Sequence, residues 1–369
     1  MNILITGAKG FIGKNLISTL KNTKDYTIFQ YDVDCEPDLL EEYAGKCDFV
    51  YHLAGINRPK EESEFKQGNV DFTETLLNCL QKRNNKSPIV MTSSIQAVLD
   101  NPYGKSKKAS EQLVFSHSEK IGAPVFVYRL PNVFGKWCKP NYNSVVATFC
   151  HNISHGLPIT INDSETAMNL VFIDDVVAEF VRALGGQANQ DGEFYTTKPV
   201  YTVKLGQLAA LIESFQNSRK TLEIPCLSDE FTKKLHSTYL SYISHEDFSY
   251  PLKMNIDNRG SFTEFIRTID RGQVSINVSK PGIVKGNHWH HTKNEKFLVV
   301  SGEGTIRFRA IDGENVVVYR VCGKELRVVD IPPGYTHSIE NTGDADMVTI
   351  MWANECFDPD NPDTYALEV

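Results

Sequence analysis

The sequence lacks the features that would assign the chain to a membrane, a nucleic acid or an oxidising compartment. No uninterrupted apolar stretch is long enough to span a bilayer. No Lys/Arg run exceeds a few residues, and 46 acidic side chains outnumber 38 basic ones, for a formal net charge of -8. That balance argues against nucleic acid and anionic membrane as partners, although it leaves room for a small local anion site. The 8 cysteines include no Cys-x-x-Cys pair. Scattered thiols in a chain this size indicate reduced, mostly buried cysteines and a cytoplasmic setting. The first residues, Met1-Asn2-Ile3-Leu4-Ile5-Thr6-Gly7, have no basic n-region and reach a glycine before an apolar h-region forms. They read as a first β-strand and not as a signal peptide. There is no internal repeat and no low-complexity tract.

What is present is the composition of a globular protein, 41% hydrophobic and 23% charged, over 369 residues. That length predicts two domains. From residue 1 to about 130, short apolar runs (Asn2–Thr6, Tyr26–Asp32, Phe49–Leu53, Ile89–Thr92, Val125–Arg129) alternate with helical patterns near Gly10–Leu20, Asn69–Gln81 and Tyr103–Lys120. This alternation predicts a doubly wound parallel α/β sheet. Helical stretches at Ser144–His155, Asp174–Leu184, Leu205–Phe215 and Glu230–Ile243, with little strand character, predict an attached substrate lobe. After about residue 245 the pattern changes to short alternating runs, among them Val274–Val278, Lys296–Val300, Thr305–Ile311, Asn315–Tyr319, Arg327–Ile331 and Met347–Trp352. Strands at that spacing without helices predict an all-β sandwich or barrel. The expected domains are therefore 1–245 and 246–369.

Gly7-Ala8-Lys9-Gly10-Phe11-Ile12-Gly13 follows the first strand and opens a helix. Glycines permit a tight turn and a close approach of backbone N–H groups to a pyrophosphate, which the helix N-terminus stabilises. Asp32 ends the second strand about 20 residues on, where an acid binds an adenosine ribose hydroxyl. The order of strand, glycines, helix and acid predicts a Rossmann-type nucleotide site.

This glycine spacing, followed by Tyr51-His52-Leu53-Ala54-Gly55, Asn69 and Tyr103-x-x-x-Lys107, resembles the extended short-chain dehydrogenase/reductase family. The resemblance covers residues 1–243. It implies that Tyr103 is the general acid/base, that Lys107 lowers its pKa and binds the nicotinamide ribose, and that Ser94 of Thr92-Ser93-Ser94, with Thr92 as the alternative, binds the substrate oxygen. Residues one helical turn apart share a face, so an ammonium at Lys107 is placed to stabilise a phenolate at Tyr103. The resemblance extends the cofactor site to Gly7, Lys9, Gly10, Phe11, Ile12, Gly13, Asp32, Leu53, Ala54, Gly55, Asn69, Tyr103 and Lys107. Arg129-Leu130-Pro131-Asn132-Val133-Phe134-Gly135 and Val171-Phe172-Ile173-Asp174-Asp175 resemble segments of the sugar-nucleotide members, which makes Arg129 and Asn132 substrate contacts. His52 is expected to be a structural residue at a strand end. Asp32 favours NADH by repelling a 2′-phosphate, whereas Lys9 lies where a basic residue holds that phosphate, and the expectation is NADPH.

In the C-terminal part, Gly282 to Glu295 carries His288-x-His290 with Glu295 five residues on, and Pro332 to Asn341 supplies His337. Positions i and i+2 of a strand face one side, so both histidines of the first pair point one way. Three imidazoles and a carboxylate suit an open first-row transition-metal site. These segments resemble the two cupin motifs, with Leu326 in place of the leading glycine of the second. The resemblance makes His288, His290, Glu295 and His337 the ligands of a divalent transition metal, zinc being expected. Asp257-Asn258-Arg259-Gly260-Ser261-Phe262-Thr263-Glu264 resembles a segment of the deoxyhexose-nucleotide 3,5-epimerases, in which the arginine and acid contact the nucleotide, often across a dimer. It implies substrate contacts at Arg259 and Glu264 and a homodimer. In the same alignment His288 falls on the general base and Lys296 on a lysine that stabilises an enolate. His288 is then ligand or base, and the ligand role is expected.

The whole chain resembles the bifunctional epimerase–reductases of capsular polysaccharide synthesis. The function this implies is epimerisation of C3 of a UDP-4-keto-6-deoxy-N-acetylhexosamine by the cupin. Reduction of C4 by NADPH in the reductase domain follows, giving a UDP-2-acetamido-2,6-dideoxy-L-hexose of L-talose type on the way to N-acetyl-L-fucosamine. The alternatives are an NAD-linked sugar-nucleotide reductase with a structural or sensory cupin, a sensor built on an inactive reductase, and a cupin oxygenase. Intact Ser94, Tyr103 and Lys107 argue against the sensor, and a fourth ligand argues against an oxygenase facial triad.

Overall fold

Strands buried on both faces are expected to read as continuous apolar runs. Asn2–Thr6 (β1) and Phe49–His52 (β3) do so, with Ile3, Leu4, Ile5, Val50 and Tyr51 fully buried. In the computed structural model, which describes residues 1–23 and 26–369, these runs form the centre of a parallel sheet. Chain order is β1, α1 (Phe11–Thr23), β2 (Thr27–Tyr31), α2 (Pro37–Lys46), β3, a short α3 (Ser63–Phe65) running into a π-helix at Lys66–Asp71, α4 (Phe72–Lys82), β4 (Ile89–Ser94), α5 (Pro102–Ile121) and β5 (Val125–Leu130). The helix expected over Asn69–Gln81 is thus a π-turn followed by α4. Then come β6 (Asn132–Phe134), α6 (Val145–Ser154), β7 (Ala167–Phe172), α7 (Ile173–Leu184), β8 (Gln190–Asp191), β9 (Phe194–Tyr195), β10 (Tyr201–Lys204), α8 (Leu205–Thr221) and α9 (Glu230–Leu240).

The seven strands of the first sheet run β2-β1-β3-β4-β5-β9-β8. Leu16 and Leu20 of α1 and Val176 and Phe180 of α7 cover one face. Leu40 and Ala44 of α2, Leu76, Leu77 and Leu80 of α4 and Val114 of α5 cover the other. This is the doubly wound α/β arrangement expected from the sequence. Strand order reverses between β1 and β3, and the crevice at the carboxyl ends of such strands is where open α/β sheets bind ligands. The lobe after β5 contains a three-stranded sheet, β10-β7-β6. Strands of three, six and four residues are too short to show in a pattern dominated by helices.

By packing, the chain divides into Met1–Glu213 with Lys234–Ser244, and Ser214–Lys233 with His245–Val369. A single cut at 245/246 therefore does not account for Ser214–Lys233, which packs with the second unit. That attachment includes backbone pairing of Leu222 and Ile224 with Arg267. The second unit has strands β11 (Asn255–Asp257), β12 (Gly260–Thr268), β13 (Gly272–Ser279), β14 (Val284–Trp289), β15 (Glu295–Ser301), β16 (Glu303–Ala310), β17 (Val316–Cys322), β18 (Val328–Ile331), β19 (Tyr335–Asn341), β20 (Met347–Ala353) and β21 (Tyr365–Ala366). They form two antiparallel sheets, β11-β12-β13-β20-β15-β18 and β17-β16-β19-β14-β21. Phe297, Val299, Ile306, Phe308, Ile339 and Met347 form the core between them. On β13 the buried positions are the polar ones, Gln273, Ser275, Asn277 and Ser279, so part of this interior is hydrophilic. Among the described residues, no helix is long and apolar enough to cross a membrane.

Candidate functional site

The glycine turn between β1 and α1 is closed by close packing. Gly7 has φ +69°, and a Cβ there would lie 2.7 Å from the Ala54 nitrogen; one on Gly13 would lie 2.3 Å from the Gly7 carbonyl oxygen. Asp32, at the end of β2, accepts hydrogen bonds from the Lys9 N–H at 2.7 Å and the Val33 N–H at 2.8 Å. Its carboxylate therefore clamps the turn. The Lys9 ammonium pairs with Asp34, an acid the sequence reading passed over. His52 is buried between the hydroxyls of Thr6 and Thr73, each 2.8 Å away, and burial pushes its pKa down to about 3. It is a neutral structural residue.

Ser94 ends β4, and α5 begins at a cap where the Asn101 side chain accepts from the Gly104 N–H at 2.8 Å, with Pro102 in the first turn. The cap and proline start the helix where Tyr103 and Lys107 fall one turn apart beside the strand end. Burial raises the pKa of Tyr103, and a hydrogen bond with Ser94 partly offsets this. Lys107 is almost fully buried and donates to the Thr92 carbonyl at 3.2 Å. Burial pushes its pKa down to about 8, against an upward pull from Glu111. Gly55 leaves room for this ammonium, since a Cβ there would approach Lys107 Nζ to 3.0 Å. Ser94, Tyr103 and Lys107 line a cleft of about 710 Å³ that also takes in Gly7, Lys9, Gly10, Phe11, Ile12, Gly13, Leu53, Gly55 and Asn132. Trp137, Lys139 and Tyr142, which the sequence did not single out, line the same cleft.

Two expected contacts in this unit have other duties. Asn69 is buried and spends its amide on the Ile56 backbone, at 2.8 and 3.0 Å, and on Ser106, so it shapes the loop after β3 and does not itself line the cleft. Arg129 forms a two-point pair with buried Glu111, at 2.9 and 2.7 Å, and stacks on Phe194. It does not line the cleft, because the side chain of the next strand residue, Leu130, is the one that faces it. Glu111 was missed, yet its spacing, four residues beyond Lys107 on one helix, marks it as an electrostatic neighbour.

In the second unit the interior of the β-sheets gathers His288, His290, Glu295 and His337, with one ligand atom of each within 4.8 Å of the others. A bulge in β14 at Gly286–His288, where Gly286 and Asn287 have φ +97° and +57°, re-aims the strand and sets His288 opposite His337 of β19. His290 Nε2 lies 3.5 Å and His337 Nε2 3.4 Å from Glu295 Oε2. Those three atoms are buried and make no hydrogen bond within the usual distance. Two orphaned imidazole nitrogens and an orphaned carboxylate oxygen, with the His288 imidazole beside them, fit a divalent transition metal. Burial pushes the pKa of His288 down to about 4, with the other two histidines adding to it. Burial alone would raise that of Glu295, but the adjacent His290 and His337 imidazoles hold it at about 2.

Lys296 is not part of this cluster. It follows Glu295 on β15, so its side chain points to the other face, where it is exposed and paired with Asp330. Glu264 lies near Arg267, 3.7 Å away, and does not line a cavity with Arg259. Arg259 pairs with Asp257 at 2.6 Å and borders a pocket of about 370 Å³ together with Lys285, whose ammonium donates to Asn277 Oδ1 at 2.7 Å. Lys285 stands three residues before His288 and was passed over as a site residue.

Residues 3–196 match the NAD dependent epimerase/dehydratase family and residues 255–365 match the polysaccharide biosynthesis C-terminal domain. A relative from Pseudomonas aeruginosa (strain PA103), UDP-2-acetamido-2,6-beta-L-arabino-hexul-4-ose reductase, is 43% identical over 371 residues, 100% of this chain and 99% of its own. The crystal structure of the capsular polysaccharide assembling protein CapF from Staphylococcus aureus has 53% identity and a TM-score of 0.95, covering 100% of both chains. UDP-glucuronic acid 4-epimerase from Bacillus cereus, solved with NAD, shares the fold at 18% identity and a TM-score of 0.56, over 66% of this chain and 96% of its own. With a family match over more than half the chain and relatives similar along its whole length, this protein belongs to the NAD dependent epimerase/dehydratase family, in the group that carries a polysaccharide biosynthesis C-terminal domain and includes CapF.

Proposed function

We propose that the protein is a bifunctional UDP-sugar enzyme. Its cupin unit inverts C3 of a UDP-4-keto-6-deoxy-N-acetylhexosamine, and its Rossmann unit reduces C4, giving a UDP-2-acetamido-2,6-dideoxy-L-hexose. The observation that carries the reading is that Ser94, Tyr103 and Lys107 line one cleft with the glycine turn. Similarity along the full chain to a UDP-hexulose reductase supports the substrate class.

In the reduction, a nicotinamide held by the glycine turn would supply the hydride that the C4 carbonyl carbon takes up. Ser94 hydrogen-bonds the carbonyl oxygen, and Tyr103 gives it a proton as it becomes an alkoxide. The Lys107 ammonium, one turn away, stabilises the phenolate left behind. Lys9 supports NADPH as the hydride source. Its ammonium is already paired with Asp34, so a 2′-phosphate would have to displace that carboxylate.

For the epimerisation, His288, His290, Glu295 and His337 would hold a divalent metal, with zinc our expectation from the three-imidazole set, and a metal there supplies Lewis-acid stabilisation of charge on the 4-keto oxygen. Arg259 and Lys285, two cations at one pocket, suit the pyrophosphate of the substrate. We also expect a homodimer, which sedimentation of the purified protein tests.

The decisive experiment incubates the full-length protein with UDP-4-keto-6-deoxy-N-acetylhexosamine in D₂O without nicotinamide, and then adds NADPH. Deuterium at C3 before NADPH, and a C4 alcohol of inverted C3 configuration afterwards, is the expected NMR result. Reduction with no C3 exchange at any stage would leave a plain reductase with a structural cupin.

A further inference from the structure

The ligand-bearing strand β14 is bordered by a segment far along the chain. Residues 362–367 run beside it: Ala366 and Tyr365 pair with His288 and Trp289, and the Leu367 N–H donates to the Asn287 carbonyl at 3.0 Å. Within that segment Asp363 makes a concentrated set of contacts. Its carboxylate accepts from the N–H groups of His291, Thr292 and Lys293, at 3.0, 2.9 and 2.8 Å, fastening the turn between His290 and Glu295. Its backbone carbonyl takes a hydrogen bond from His290 Nδ1. Buried Lys293 returns the tie by donating to the Pro362 carbonyl at 2.6 Å.

A carbonyl oxygen only accepts, so His290 Nδ1 must carry a proton, which in the neutral ring that binds a metal leaves Nε2 as the lone-pair nitrogen. Nε2 is the atom that lies 3.5 Å from Glu295 and has no other partner. Asp363 sits at φ +37°, in the left-handed region that Asn and Asp tolerate better than most side chains. The carboxylate contacts hold that backbone in place, and the backbone in turn directs its carbonyl at the imidazole.

We propose that Asp363 is the positioning residue of the metal centre, setting the tautomer and aim of His290 from a segment outside both metal-binding motifs. This rests on the metal reading given above.

The test uses the full-length protein and its Asp363→Ala and Asp363→Asn variants, stripped with a chelator. Zinc affinity is measured by competition with a chromogenic chelator, and the coordination by the visible absorption of the Co²⁺-substituted forms. Removing an outer partner of a metal-bound histidine typically costs roughly 10–100-fold in affinity. Asp363→Ala is expected to fall in that range with an altered Co²⁺ spectrum. Asp363→Asn, which keeps one acceptor and tolerates the left-handed backbone, is expected to lose less, and it decides the matter should the alanine variant not fold. NADPH binding serves as the control and is expected to be unchanged. A variant whose zinc affinity and Co²⁺ spectrum match wild type, with equal losses of melting temperature in the stripped and loaded states, would show a purely structural role and overturn the proposal. Wild-type protein that binds neither metal would overturn the metal reading itself, and this inference with it.

Discussion

Replacing Lys107 by Met is expected to stabilise the protein while disabling it. The ammonium is almost wholly buried, and burial lowers its pKa from 10.5 to about 8. Each pKa unit corresponds to 1.36 kcal/mol, so holding the charged form inside the fold costs about 3 kcal/mol. Because the folded pKa lies below the unfolded one, the unfolded chain binds the extra proton between pH 8 and 10.5. The penalty is full below pH 8, fades across that window and is gone above it. Methionine has similar length and carries no charge, but it leaves the Thr92 carbonyl without its donor, a loss of roughly 1 kcal/mol. The net expectation at pH 7 is a gain of about 2 kcal/mol, or roughly 4–8 °C for a unit of this size. Urea unfolding of both proteins at pH 7 and 9.5, followed by far-UV circular dichroism, reads it out. The gap is expected to shrink by about 2 kcal/mol over that interval, as the wild-type lysine becomes neutral. A gap independent of pH, or a variant less stable than wild type at pH 7, would refute the argument that burial of this charge is a cost the fold bears for catalysis.

Tyr103→Phe is expected to slow ketone reduction by roughly 10²–10⁴-fold with cofactor affinity retained, as followed by NADPH absorbance under single-turnover conditions. In fluorescence titrations Lys9→Ala is expected to weaken NADPH far more than NADH, and Asp34→Asn to tighten NADPH by freeing Lys9; equal effects on both cofactors would return the choice to Asp32 and NADH. His337→Ala is expected to lose bound metal by elemental analysis, together with C3–H exchange, and to keep NADPH binding. Lys296→Ala is expected to leave C3–H exchange at the wild-type rate, and abolished exchange would restore Lys296 to the site.

The strand pattern and motif spacing located most of the residues that the fold gathers at the cleft and at the histidine–carboxylate cluster. Gly7, Gly10 and Gly13, Asp32, Ser94, Tyr103 and Lys107 are legible because each lies at a fixed offset within one strand–turn–helix unit, where local geometry determines the neighbour. The same holds for His288, His290 and Glu295, whose separations are those of a strand and the next strand's start. Lys296 and Arg129 went astray for a related reason: a one-residue step along a strand reverses the face, and resemblance alone does not say which face is occupied.

An α/β unit followed by an all-β unit is legible in the residues alone, because hydrophobic period and turn residues are local properties. Which polar groups meet was settled by the folded chain. It turned the hydrophilic side of β13, Gln273, Ser275, Asn277 and Ser279, to the interior. It gave Arg129 to Glu111 and left the cleft to other residues. It brought Asp363 to His290 across 73 residues of chain. Contacts of that range depend on how separate strands are laid side by side, and nothing in the local pattern of either partner encodes them.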